Sequence, residues 1–344
     1  MSAAPANTTW FGQPRGLTIL FLTEMWSEFS YYGMRAILVY YMVGQLRLDQ
    51  QRASVIFGLY TAYAFLTPIV GGVLADKWLG RSRAVLIGGG IMAAGHLMMA
   101  SESLFYLALV TIATGNGLFL PSLPSQINEL YGAEDPRKHL AYNYYYVGAN
   151  LGGFLAPLGV GTIGELFGWH WGFTLAGFGM LVGLVIYTAG RGYLPADRID
   201  SRPTEAQAHT SADSAAVVRR FALLFGVAAM AVIFRTAYEQ VGNTLPLWIS
   251  ATDRHVGSRV IPMTWFQSLN PLFIFLLTPL VTCHWVRLGK LGKRAFLGTQ
   301  NVPGGGDGGA VLPGVGRRCR LEWRQTLGGK LVVGGRIFRT DDGR

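Results

Sequence analysis

Apolar positions along this chain fall in long runs separated by short polar connections. Eight runs approach the roughly 20 residues that cross a hydrocarbon core: 17–44, 54–75, 84–100, 104–124, 141–163, 171–190, 221–250 and 260–286. Each predicts a membrane helix, because lipid offers no partner to an unpaired backbone group. The run at 84–100 is short and extends into its flanks. Six runs precede the polar stretch 195–218, PADRIDSRPTEAQAHTSADSAAVV, which predicts a flexible linker, and two follow it. The division expected is therefore a leader at 1–16, six helices over 17–194, the linker, and two further helices within 219–294.

Charge orients the bundle. With the N-terminus inside, the inner connections and ends collect fifteen Lys and Arg residues, the outer ones Arg47, Arg52, Arg254 and Arg259. That asymmetry predicts a multi-pass protein of the cytoplasmic (inner) membrane, N-terminus inside. It also accounts for much of the net charge of +10, so no nucleic-acid partner is needed to explain it. Composition agrees: 14% of residues are charged, against about 25% in soluble domains. Cys283 and Cys319 form neither a disulfide framework nor a metal set, and no cofactor, metal or catalytic constellation is expected.

From Ala295 to Arg344 the pattern changes. This stretch has 13 Gly and 8 Lys and Arg residues and no run long enough to span. The expectation is a non-family tail read out of frame after a frameshift, a natural disordered tail being the alternative.

Polar residues inside the runs are the candidate machinery, since charge at membrane depth is costly. The first run contains TEMWSEFSYYGMR, Thr23 to Arg35. At 100° per residue, Glu24, Glu28, Tyr31 and Arg35 fall within about 60° of one another, a polar stripe that must face a cavity. Asn150 and Asn270 each lie about nine or ten residues into a run, near mid-membrane. Asn143, Tyr146 and Asn150 share a face, while Gly148 and Gly152 offer a close-packing surface. Arg35 and Glu239 each lie 18 residues from an inner helix start, roughly 27 Å up, which predicts a pair between the first and seventh helices. A local pair of Arg235 with Glu239, one turn apart, competes with it. Pro121, Pro124 and Pro271 are expected to break or bend their helices. Asp76, near Lys77, Arg81 and Arg83, is placed to cap or pair with the start of the third helix.

Several of these stretches resemble signatures of the proton-dependent oligopeptide transporter (POT, or peptide transporter) family of the major facilitator superfamily. GGVLADKWLGRSRAVLIGGGIMAAG (71–95) and AYNYYYVGANLGGFLAP (141–157) match two signatures; GNGLFLPSLPSQINELYG, FRTAYEQVGNTLPLW, WFQSLNPLFIFLLTPL and GWHWGF add weaker matches. The resemblance implies an all-α helical bundle, with a complete six-helix first half and two helices of the second. It implies proton-coupled symport of di- and tripeptides by alternating access. Substrate contacts would fall to Tyr31, Tyr32, Arg35, Asn150 and Asn270. Proton coupling and gating would fall to Glu24, Glu28, Arg35 and Glu239, and the conformational loop to Asp76, Arg81 and Arg83.

The chain also departs from the family. Where the family reads E-x-x-E-R-F-x-Y-Y-G, this chain has Ser27 for the second Glu and Glu28 for the Arg, and Leu120 stands where the fourth helix usually has Lys. Phe65 occupies a position where the family often has a cavity Tyr. Two carboxylates without their cations repel each other, so at least one of Glu24 and Glu28 is expected to be protonated at rest. An infrared titration finding both ionised at neutral pH contradicts this. A chain lacking the remaining helices carries the alternative reading of a non-transporting membrane fragment. A facilitator for another substrate is a third reading, and a membrane enzyme has the least support. Oligomeric state is not legible.

Overall fold

A computed structural model describes residues 12–132, 135, 137–197 and 214–290. Its elements are helical apart from one small hairpin. In the first half they are α1 (Arg15–Gly44), α2 (Gln50–Leu74), α3 (Arg81–Met98), α4 (Phe105–Leu130), α5 (Lys138–Ala156), α6 (Thr162–Phe167) and α7 (Trp169–Gly190). Then come α8 (Ser214–Tyr238), α9 (Thr244–Ser250), the strands β1 (His255–Val256) and β2 (Arg259–Val260), and α10 (Leu269–Lys290). Wider π turns at Ala75–Leu79 and Pro157–Gly161 continue α2 and join α5 to α6. Residues through Phe275 form one compact unit; a second begins at Leu276, of which 276–290 are described, as the remainder of α10.

α1 lies at the centre of the first half, packed along α5 and α7, while α3 lies against α4 and α7 and α2 against α4. From Met34 to Met42 every α1 side chain is buried, Arg35 included, as expected of a helix surrounded by neighbours on all sides. Small residues set a close crossing. A Cβ on Gly152 would run into the carbonyl oxygen of Met25, so α1 and α5 meet backbone to backbone where the Gly148–Gly152 spacing predicted.

Five stretches are long and apolar enough to cross a membrane by length and composition: Gln50–Leu79, Glu102–Leu130, Leu140–Phe167, Trp169–Tyr193 and Phe221–Ser250. α1 and α3 are helical but more polar than these, because α1 carries Glu24, Glu28, Arg35 and four tyrosines, and α3 carries Arg81, Arg83 and His96.

Three boundaries differ from the sequence expectation. α8 begins at Ser214, within the expected linker, and ends at Tyr238, where a 3-10 turn (Glu239–Gly242) separates it from α9. The eighth run is not helical from 260: β2, Pro262 and a 3-10 segment (Met263–Ser268) occupy its start. Pro271 accordingly sits in the first turn of α10, where its missing N–H has no helical partner to lose, and it bends nothing in mid-helix. α4 likewise runs unbroken through Pro121 and Pro124, with the Ser122 and Ser125 hydroxyls donating to the carbonyls of Leu118 and Pro121 at 2.7 and 2.8 Å. The tail at 295–344 and most of the leader and linker lie outside the described residues.

Candidate functional site

A cavity of about 340 Å³ opens between α1, α5 and the segments after α8. α1 contributes Glu24, Glu28, Tyr32 and Arg35, one face of the helix at near-helical spacing. α5 contributes Tyr145, Tyr146, Ala149 and Asn150, with Gly153 deepening the wall. Arg235 and Tyr238 from α8, Gln267, and Asn270 with Pro271 from α10 form the opposite side. The volume lies within the usual range for a small-molecule site.

Arg35 is 7% exposed and does not stand alone. Its Nη2 donates to Glu239 Oε2 at 2.5 Å. The other oxygen of Glu239 lies 3.3 Å from Arg235 Nη2. The long-range pair and the local pair therefore coexist, and one carboxylate bridges two guanidinium groups. Arg35 also lies over the rings of Phe57 and Tyr31, 5.2 and 5.5 Å from their centroids, and Arg235 lies over Phe65 at 4.8 Å. Gly242 is needed beside this cluster, because a Cβ there would meet Phe57 and the Arg35 guanidinium.

Several expected residues take other places. Tyr31 does not line the cavity; its hydroxyl accepts from Arg35 Nη1 at 3.5 Å, so it braces the guanidinium from behind. Asn143 is exposed and outside the lining, although Tyr146 and Asn150 of the same face are within it. Asn150 lines the cavity while its amide donates to the Tyr146 carbonyl at 2.8 Å. Asn270 lines it from the first turn of α10, not from mid-helix. Leu120 is exposed and absent from the lining. Glu24 and Glu28 are brought together with Tyr32 and Arg35 on the cavity wall.

Contacts across the two halves are concentrated from Arg35 toward the Gly44 end of α1. Ser54 Oγ donates to Asn243 Oδ1 at 3.1 Å, Gln267 Nε2 to the Ala36 carbonyl at 2.9 Å, and Ser268 Oγ to the Phe154 carbonyl at 2.9 Å. Trp265 Nε1 donates to Thr162 Oγ1 at 2.8 Å. Glu165 accepts from the backbone N–H groups of Met263 and Thr264, both at 2.9 Å. Among the described residues no hydrogen bond joins the halves at the Glu24 end, so this arrangement is shut at one end of α1. Sequence reasoning missed Glu165, Gln267 and Ser268. Their polar atoms bind backbone groups, and such pairing leaves no spacing signature.

At the other end, Arg81 Nη1 reaches Glu129 at 2.5 Å and the Ser125 carbonyl at 3.3 Å, tying α3 to α4, while its Nε meets Asp76 at 3.3 Å. Asp76 does not cap α3. That role belongs to Asp197, whose carboxylate accepts from the Ser82 N–H at 2.8 Å beside Gly80, with φ +78°. Arg83 is exposed and outside this cluster.

The sequence profile of the family described as "POT family" (PTR2) matches residues 82–212 and 202–297, well over half of the chain. The chain belongs to the POT family. The POT chain is 33% identical over 360 residues to the peptide transporter YePEPT of Yersinia enterocolitica, with 83% of the chain and 70% of that protein covered. It is 31% identical over 353 residues to a di-/tripeptide transporter of Lactococcus lactis subsp. cremoris, covering 82% of itself and 71% of that protein. Its structure superposes on a peptide transporter POT mutant bound to alafosfalin with a TM-score of 0.70 at 32% identity, covering 83% of this chain and 71% of the other. Membership places it among multi-pass membrane transporters with the major facilitator fold, not among enzymes.

Proposed function

We propose that this POT-family chain is built for proton-coupled symport of di- and tripeptides across the cytoplasmic membrane by alternating access, with its N-terminus inside. The observation that carries the reading is the Arg35–Glu239–Arg235 bridge, buried at Arg35 and Glu239 and half-exposed at Arg235, which joins the two halves directly beside a cavity of peptide size. A short peptide has a charge at each end and amide groups between. The cavity offers guanidinium groups at one end, the Asn150 and Asn270 amides along its walls, and the Glu24 and Glu28 carboxyls on the same α1 face. A peptide carboxylate arriving at Arg35 competes with Glu239 for the same donors, which links occupancy to the pair that holds the outer side shut. Tyr32 contributes a ring wall and Tyr31 keeps Arg35 aimed.

Glu24 and Glu28 are the proton carriers in this proposal, working as a carboxyl pair without the Arg and Lys usual in the family. Asp76 and Arg81, with Arg83 two residues on, form the inner conformational loop, and the stretch 195–218 connects the halves in sequence. Membrane lipid is the surrounding partner.

The test is uptake of labelled dialanine by the purified chain in proteoliposomes. An inward proton gradient drives accumulation, a protonophore abolishes it, and free alanine does not compete. Uptake that ignores the gradient removes the coupling assignment, and absence of both uptake and dipeptide binding removes the substrate assignment.

A further inference from the structure

Glu165 sits at the C-terminal part of the α5–α6 helix, and its carboxylate is used in full. Oε2 accepts from the Met263 N–H at 2.9 Å; Oε1 accepts from the Thr264 N–H at 2.9 Å and from Thr264 Oγ1 at 3.0 Å. Arg254, beyond the hairpin, approaches Oε2 at 3.8 Å. The residues thus held begin the 3-10 segment Met263–Ser268, whose first N–H groups have no helical partner of their own. Three residues after Thr264, Gln267 lines the cavity and donates to the Ala36 carbonyl, one residue from Arg35. Gly161 admits the Thr264 side chain so closely that any Cβ there would overlap it.

From this geometry we infer that Glu165 is a positioning residue of the outer gate: it latches the Met263–Ser268 segment to the first half and thereby sets Gln267 over the cavity. This rests on the alternating-access reading above. The Arg35–Glu239 pair joins side chain to side chain, so a substrate carboxylate can exchange with it. The Glu165 latch instead grips backbone, which no small ligand can replace at the cavity. Outer opening therefore needs both to release, and Glu165 sets how much of the population stays shut when Arg35 is engaged elsewhere. The hydrogen bonds are charge-assisted, the stronger class, and a neutral amide at the same position presents one acceptor where two backbone donors and a hydroxyl need partners.

The experiment measures the outer gap directly and requires no transport. Spin labels at Gly44→Cys and Val256→Cys, both exposed and outside the latch, are placed in the full chain with Cys283→Ser and Cys319→Ser. Glu165→Ala is expected to raise the population of longer distances by at least about tenfold, with Glu165→Gln between it and the parent and Thr264→Val nearer the parent. A distance distribution in Glu165→Ala or Glu165→Gln unchanged from the parent overturns the inference, even if the thermal midpoint falls. That result would mean a merely structural cap. Glu165→Gln keeps the side-chain volume and carries the test if the alanine variant does not stay monodisperse. Dipeptide affinity of the parent chain is read in parallel: unchanged distances with binding present mean failure of this inference alone, whereas absence of binding means failure of the peptide reading.

Discussion

Arg35 and Glu239 have side-chain exposures of 9% and 14%, so neither charge is well solvated. Removing one member of a buried pair typically costs about 3–5 kcal/mol, because the other is left uncompensated. The bridge to Arg235 makes the two deletions unequal. Arg35→Ala leaves Glu239 with Arg235, whereas Glu239→Ala strands Arg35 among Phe57, Tyr31 and Gly242. Denaturation in detergent should therefore show Glu239→Ala as the more destabilised variant, and equal midpoints contradict the bridge. Outside the membrane-spanning segments, the Arg137 side chain beside Asp135 lowers its carboxyl to about 2. A depressed carboxyl lends stability above the unfolded carboxylate range, and that contribution is lost as pH falls through about 2. A carboxyl chemical-shift titration should place Asp135 there, and Arg137→Ala should return it toward the ordinary value of about 3.9. At this scale the Arg35–Glu239 pairing was expected from depths counted from Leu17 and Phe221 and from the family resemblance, with the local Arg235 pair as its rival, and both pairs are present. Tyr31 was misplaced because a 100° spacing gives a face, not the side of a bulky ring on which a neighbour lies.

Helical runs are easy to read where apolar length is the whole signal, as in α2, α4 and α7. They mislead where a polar cap sets the start. Nothing in VIPMTWFQSLNP announces that helix α10 waits until Leu269, because what holds Met263 and Thr264 in a 3-10 turn is the carboxylate of Glu165, about a hundred residues earlier. The same distance hid Asp197 as the cap of α3. Two substitutions test these elements. Pro271→Ala should change stability by less than about 1 kcal/mol, since a first-turn proline replaces no helical hydrogen bond; a large gain would show that it strains α10. Gly152→Leu should abolish the folded monomer on size-exclusion, because α5 meets the Met25 carbonyl there with no room for a side chain. A folded Leu variant would contradict that crossing.

For the whole molecule, the POT resemblance was carried by the two signatures at 71–95 and 141–157 with weaker matches elsewhere, and the family profile and relatives agree with it. What one-dimensional spacing does not carry is the asymmetry between the two ends of the cavity. Hydrogen bonds join the halves on the Arg35 side, and the Glu24 and Glu28 side has none among the described residues. That asymmetry, with a cavity containing both guanidinium and carboxyl groups, makes the proposed peptide site one that is shut at one end by Arg35 and its partners. Equilibrium binding of dialanine to the purified chain measures it most directly. Binding should be saturable and weaken at least about tenfold in Arg35→Lys, which loses the bidentate fork, and similarly in Asn150→Ala, with free alanine failing to compete. Binding unchanged by both substitutions, or no binding by a monodisperse chain, contradicts it.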